Sequence, residues 1–181
     1  VWTPAWQPVK TELDSYECRH GLGYSRFTAS KNKIQAELTA FVPLKESCEV
    51  NRLILTNHNT TEETIDLTSY VEFCFWNAVD DSTNFQRNLS LGEVEVEEST
   101  IYHKTEYRER RNHFAYYTVN SPVAGFDTSR DDFLGVYGSI EHPETVYAGI
   151  SHNSVASGGA VIGSHHLKLT LKPGESKSLI F

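Results

Sequence analysis

The 181-residue sequence predicts an all-β protein, a large antiparallel β-sandwich of two sheets, on three observations. Apolar and polar side chains alternate with a period of two through most of the chain, as half-buried strands require. Helical periodicity is nearly absent. The connections are short and polar, as at His58-Asn-Thr-Thr61, and such loops favour hairpins and meanders over parallel crossovers. About ten strands without interspersed helices pack most readily as two facing sheets.

Along the chain, Gly21 and Gly23 suggest a bulge or a close backbone approach within a sheet. Ile34, Ala36, Leu38 and Ala40 alternate with Lys33, Gln35, Glu37 and Thr39, and residues 50–57 set Leu53 and Leu55 on one face. Residues 63–76 read as one long strand whose aromatic second half is buried on both faces at the centre of a sheet. Glu93-Val-Glu-Val-Glu97 turns its valines inward and its glutamates outward. His113–Asn120 and Phe133–Tyr137 are further strands, and the Ser-, Gly- and Ala-rich stretch from His152 to Gly163 is a loop. His165–Leu171 alternates again, and the turn Lys172-Pro-Gly-Glu175 precedes the strand Ser178–Phe181. No repeat or linker divides the chain, so residues 1–181 are expected to form a single domain.

A net charge of −8 argues against nucleic acid, whose phosphates demand clustered Lys and Arg. No apolar run approaches the roughly 20 residues needed to span a bilayer, and no membrane role is expected. Cys18, Cys48 and Cys74 are odd in number and widely spaced, so buried free thiols in a reducing compartment are expected instead of disulfides or zinc. The chain has no methionine, begins at Val1 within an aromatic, proline-rich stretch and stops at Phe181 on a strand. Both ends suggest a piece of something longer.

The segment richest in chemistry is Trp76-Asn-Ala-Val-Asp-Asp-Ser-Thr-Asn-Phe-Gln-Arg-Asn88. A structural turn needs one or two Asn, Asp or Gly residues; this one carries a surplus of amide, carboxylate and guanidinium groups. Such groups match sugar hydroxyls, although an ordinary polar loop has a similar composition. The carboxylate pairs Asp80/Asp81, Asp131/Asp132 and Asp14/Glu17 could be acid/base groups, yet neighbours on a strand face opposite ways, which favours solvated turns. No helical His pair or nucleophile elbow is present, so neither a metal site nor a serine nucleophile is expected. Arg108-Glu-Arg-Arg-Asn-His113 fits a surface salt-bridge network better than an anion clamp.

The run Trp2-Thr-Pro-Ala-Trp-Gln-Pro-Val-Lys-Thr-Glu-Leu-Asp-Ser-Tyr-Glu-Cys-Arg-His-Gly-Leu-Gly-Tyr24 closely resembles the N-terminal region of cellobiose phosphorylases. Phe73-Cys-Phe-Trp-Asn77, Thr83-Asn-Phe-Gln-Arg-Asn88, Gly92-Glu-Val-Glu-Val96, Ile101–His113 and Gly125-Phe-Asp-Thr-Ser-Arg130 extend the resemblance across the chain. Cellodextrin and chitobiose phosphorylases are the neighbouring possibilities. The resemblance implies a supersandwich of the galactose-mutarotase-like kind, opening a cytoplasmic homodimeric enzyme several times longer. It also implies a helical linker and a catalytic (α/α)6 barrel beyond this chain.

Family members split cellobiose with inorganic phosphate into α-glucose 1-phosphate and glucose, with inversion and without a cofactor. Phosphate is the nucleophile, so a single aspartic acid on the barrel suffices as proton donor. A catalytic residue is therefore expected to be absent from this fragment, which would be inactive alone. What the resemblance assigns here is a loop over the acceptor subsite. Gln86 and Arg87 would bond the leaving glucose, with Asn77, Asp80, Asp81 and Asn84 supporting or orienting the loop. An autonomous carbohydrate-binding module is a second possibility, but Trp2, Trp6 and Trp76 lie in segments that read as packed and not as a stacking row. A purely structural, dimer-forming sandwich is the third.

Overall fold

A computed structural model describes residues 1–74, 79, 92–105 and 113–181. Its strands, in chain order, are β1 (Ser15–Gly21), β2 (Tyr24–Lys31), β3 (Ile34–Phe41), β4 (Val50–Asn57), β5 (Glu63–Thr68) and β6 (Val71–Glu72). After these come β7 (Gly92–Glu97), β8 (Thr100–Thr105), β9 (His113–Thr118), β10 (Gly125–Ser129), β11 (Val161–Leu171) and β12 (Ser176–Ile180). Among the described residues of the second half, two five-residue helices, α1 (Arg130–Leu134) and α2 (Glu144–Ala148), interrupt the strands. The all-β, antiparallel architecture of the sandwich kind is as expected, and the described strands divide over three sheets. Among the described residues no helix is long and apolar enough to cross a membrane.

The contacts group the chain into two compact units, residues 1–65 with 168–181 and residues 66–167. The first contains the sheet β1-β2-β3-β4-β12. Its register places Phe27, Leu38, Leu53 and Leu179 in one row and Ala29, Ala36 and Leu55 in the next. That face is the core of the unit: Ala29 and Ala36 are fully buried, and Leu53, Leu55 and Leu179 nearly so. On the opposite face Glu37 lies between Arg26 (3.7 Å) and Arg52 (3.8 Å). A one-residue slip would exchange these faces and bury three charges, so the pattern dictates the register.

Turn chemistry reinforces it. β1 pairs with β2 without a break from Ser15↔Ser30 to Gly21↔Tyr24, so the two glycines make a hairpin end, not the bulge the sequence suggested. Gly23 supplies a φ of 86° in the tight turn. At Gly21 a side chain would collide with the Tyr24 ring. Asn32 and Lys33 close the β2–β3 hairpin with φ of 51° and 61°. Asn57, fully buried at the end of β4, donates to the carbonyls of Thr61 and Leu171 (2.9 Å each) and accepts from the Asn59 amide.

In the second unit, β7-β8-β9 form a meander in which Val94, His103 and Ala115 share one row and Val96, Ile101 and Tyr117 another. The valines of β7 are half-buried and its glutamates exposed, as the alternation required. The remaining sheet orders its strands β10-β11-β5, with β6 also on β11.

Three sequence expectations fail here for local reasons. Residues 63–76 are not one strand: β5 stops at Thr68, and Ser69 trades bonds with His165, its amide donating to the His165 carbonyl and its Oγ accepting from the His165 amide. Beyond the break Val71 and Phe73 are half-buried and Cys74 is exposed, so the stretch is not covered on both faces. Phe133–Tyr137 is not a strand. The Ser129 hydroxyl accepts from the Asp132 amide, Asp131 and Asp132 occupy the first helical turn, and Gly135 (φ 81°) ends α1. The helix buries the adjacent Phe133 and Leu134, which a strand would send to opposite faces. Five residues are too few for a helical period to show in the sequence. Nor do the histidines open a strand: β11 starts at Val161, and both His165 and His166 are buried in its middle.

Candidate functional site

Asn77, Asp80, Asp81, Asn84, Gln86 and Arg87 all lie outside the described residues, as does most of the Arg108–His113 cluster. The described chain on either side of the predicted acceptor loop belongs to the second unit: β6 leads into it and β7 follows it.

The approach on the β6 side is an ordered polar cluster over an apolar floor. Glu72 accepts from Arg130 Nε at 3.0 Å and from the Tyr70 hydroxyl at 2.5 Å. Burial raises the Tyr70 phenol's pKa well above its ordinary value, and the bond to the Glu72 carboxylate raises it further. Tyr70 therefore stays a donor across the working pH range. Its ring packs against Phe133 (4.9 Å between centroids) in a core with Leu134 and Ile162. One residue on from β6, Phe73 lies 4.4 Å from the His103 ring, and His103 Nε2 contacts the Ile162 carbonyl at 3.0 Å. Desolvation lowers the His103 pKa, partly offset by that carbonyl, which makes the neutral ring donating from Nε2 the favoured form.

Val71 and Glu72 pair with Gly163 and Ile162 of β11. Gly163 is required at this crossing: a Cβ there would stand 2.9 Å from the Tyr117 ring, 3.1 Å from Val71 and 3.3 Å from Phe73. The chemistry of this cluster is positional. It fixes where the backbone leaves β6, and its carboxylate is already engaged by a guanidinium and a phenol.

The other carboxylates singled out in the sequence have structural places, two of them partnered by Lys31, Asn32 and Arg19 and two in a helix turn. Asp14 accepts from the Asn32 amide at 2.7 Å and lies 3.7 Å from Lys31, while Glu17 bonds Arg19 at 2.8 Å. Asp131 and Asp132 face the N-terminal turn of α1. Among the described residues no group of three or more His, Cys, Asp or Glu could hold a metal ion.

Sequence reasoning missed the Glu72–Tyr70–Arg130 cluster, because Arg130 is 58 positions from its partner. The thiols differ from the expectation of burial: Cys18 and Cys48 are half-buried and Cys74 is exposed, and none of the three is in a disulfide. Cys18 lies on the edge strand β1, and Cys48 and Cys74 lie outside the strands, which leaves all three less covered than thiols in an apolar core. Trp6 is exposed and Trp2 half-buried, which the packed reading of that segment did not anticipate, and Trp76 lies outside the described residues.

The profile of the glycosyl hydrolase 94 supersandwich domain matches residues 1–181, the whole chain. An N,N'-diacetylchitobiose phosphorylase of Vibrio proteolyticus is 36% identical over 180 residues, covering 96% of this chain and 22% of the relative. The Vibrio furnissii protein of the same name is 34% identical over 177 residues, with 96% and 22% coverage. A solabiose phosphorylase of Paenibacillus borealis is 32% identical over 178 residues, covering 96% and 23%. The chain thus spans less than a quarter of the length of each of these relatives.

Proposed function

Because the chain belongs to the glycosyl hydrolase 94 supersandwich family, we propose that it is the acceptor-side domain of an inverting disaccharide phosphorylase. The whole enzyme would transfer a glycosyl group reversibly between a sugar acceptor and inorganic phosphate. In this reading the general acid and the phosphate site belong to a barrel domain reached through a helical linker. The sandwich contributes Gln86 and Arg87 to the acceptor subsite, with Asn77, Asp80, Asp81 and Asn84 shaping the loop. The guanidinium fork of Arg87 suits a pair of sugar hydroxyls, and the Gln86 amide supplies one donor and one acceptor. A homodimer in the cytoplasm, without cofactor, completes the proposal.

The observation that carries it is the match over 96% of the chain to three relatives that are named phosphorylases, two of N,N'-diacetylchitobiose and one of solabiose. Cellobiose is the proposed substrate, on the motifs that resemble cellobiose phosphorylases. N,N'-diacetylchitobiose is the second reading, favoured by the names of the two Vibrio relatives. Phosphate-dependent release of sugar 1-phosphate by the full-length protein, with each disaccharide in turn, separates the two.

The role of the loop has its own test. In the full-length enzyme, Arg87→Ala should weaken use of the free sugar acceptor roughly ten- to hundred-fold, the equivalent of losing about 1.5–3 kcal/mol of charged hydrogen bonding. Use of the sugar 1-phosphate donor should change far less. Equal losses on both substrates would remove Arg87 from the acceptor subsite.

A further inference from the structure

On the core-facing side of β1, at the edge of the five-stranded sheet, Tyr16, Cys18 and His20 follow one another at i, i+2 and i+4. Cys18 Sγ lies 3.3 Å from His20 Nε2, and His20 Nδ1 lies 2.9 Å from the hydroxyl of Ser25, its cross-strand partner on β2. With Nδ1–H donating to Ser25, the ring presents an unprotonated Nε2 to the thiol. That is the geometry in which an imidazole accepts a thiol proton. The Phe27 ring, paired across from Cys18, meets the imidazole edge-to-face at 6.3 Å and limits its rotation.

Two further observations bear on what such a thiol could meet. A shallow concavity of about 440 Å³ opens beside the imidazole, walled by Gly21, Tyr24, Ser25, Phe41, Val42 and Glu49. Here the absence of side chains at Gly21 and Gly23 keeps the hairpin end low. Tyr16 stands two residues before Cys18 on the same face of β1, and its pKa is raised, by desolvation first and by Cys18 next. The neighbouring positions of β2 that face Cys18 are Phe27 and Ala29, neither of which can titrate. Half-buried Cys18 therefore touches a proton acceptor, the His20 imidazole, whose ring in turn borders the open recess.

We propose that Cys18, His20 and Ser25 form a thiol-modification site, and that its ligand is a low-molecular-weight disulfide of the glutathione type. His20 Nε2 takes the Cys18 proton, and the thiolate attacks one sulfur of a disulfide that approaches the open edge of β1 from the recess beside the imidazole. A mixed disulfide forms at Cys18 as the incoming S–S bond breaks, and the departing thiolate takes the proton from the imidazolium. Cys18 is oxidised, the departing thiol is reduced, and no other reactant is needed. The site does not depend on the acceptor-loop reading.

The test treats the full-length protein with glutathione disulfide at neutral pH and follows each cysteine by peptide mass mapping over time. Cys18 should be modified about tenfold faster than Cys48 or Cys74, which serve as internal references. His20→Phe, at an exposed position, should bring Cys18 down to the rate of the references, and Ser25→Ala should give an intermediate loss. Circular dichroism confirms that each variant is folded, and the wild-type ranking stands alone if one is not. Equal rates at all three cysteines, no reaction at Cys18, or an unchanged rate in folded His20→Phe would each overturn the proposal.

Discussion

Asp127 is fully buried in β10, and its carboxylate accepts from the amides of His152 and Ser154 and from the Ser154 hydroxyl, the last at 2.7 Å. Beside it the Thr128 hydroxyl donates to the Ser154 carbonyl and accepts from the Ala156 amide. Two adjacent side chains thereby order a loop that has no strand partner of its own for most of its length. Asp127→Ala should leave three donors unmatched in the interior and cost roughly 3 kcal/mol, read as a fall in the urea midpoint at constant slope. Asp127→Asn, which keeps one acceptor oxygen, should recover part of that loss. None of this could be read along the chain. Asp127 sits in Gly125-Phe-Asp-Thr-Ser-Arg130, a run singled out in the sequence, but its partners are about 25 residues away. The same limit applies to Asn57 and to the Glu72–Arg130 pair: a polar residue's partners are spatial neighbours, and sequence spacing carries no record of them.

At the scale of elements, the local code was legible wherever strands are half-buried and joined by tight turns. Residues 34–41 and 50–57 became β3 and β4 with the faces the alternation assigned, because a strand with one wet side has only one register that hides its apolar row. The β2–β3 turn goes further than the sequence required. Lys33 holds a left-handed φ of 61° directly after Asn32, where the preferred hairpin pair is Asn-Gly. Lys33→Gly should therefore stabilise the protein by about 0.5–1 kcal/mol, since it relieves the Cβ clash while keeping the Lys33 carbonyl that accepts from the His58 amide. Differential scanning calorimetry would show a higher Tm; an unchanged or lower one would mean that the unfolded chain's extra freedom offsets the gain. The elements misread were α1 and the break at Ser69. Each is decided by one capping or bonding side chain, on a scale shorter than any hydrophobic period.

For the molecule as a whole, the consequential feature is a buried, unpartnered imidazole. His165 is 1% exposed, neither ring nitrogen has a hydrogen bond, and its ring stacks on Tyr117 at 4.8 Å. Desolvation lowers its pKa from 6.5 to about 4, and His103 is lowered in the same direction. Unfolded histidine binds a proton near pH 6.5 while the folded ring resists it, so between 6.5 and 4 the unfolded state holds more protons. Stability is complete above pH 6.5, declines as the pH falls toward 4, and levels off below that. The loss from His165 alone is on the order of 3 kcal/mol. Denaturant midpoints taken from pH 7.5 to 4 should show this decline, and His165→Phe, which preserves the stack, should flatten it. A decline of equal size in that variant would move the cause to other groups.

By itself the sequence determined the all-β antiparallel class, the faces of the half-buried strands and the family, because these follow from side-chain periodicity and from contiguous motifs. Only the tertiary structure decided the partition of the described strands into three sheets, the Glu72–Tyr70–Arg130 cluster, the neutral histidines and the Cys18–His20–Ser25 contact. The physical reason is range. A period of two is a property of neighbouring residues, whereas burial, hydrogen-bond satisfaction and proton affinity depend on which distant segments the fold brings alongside.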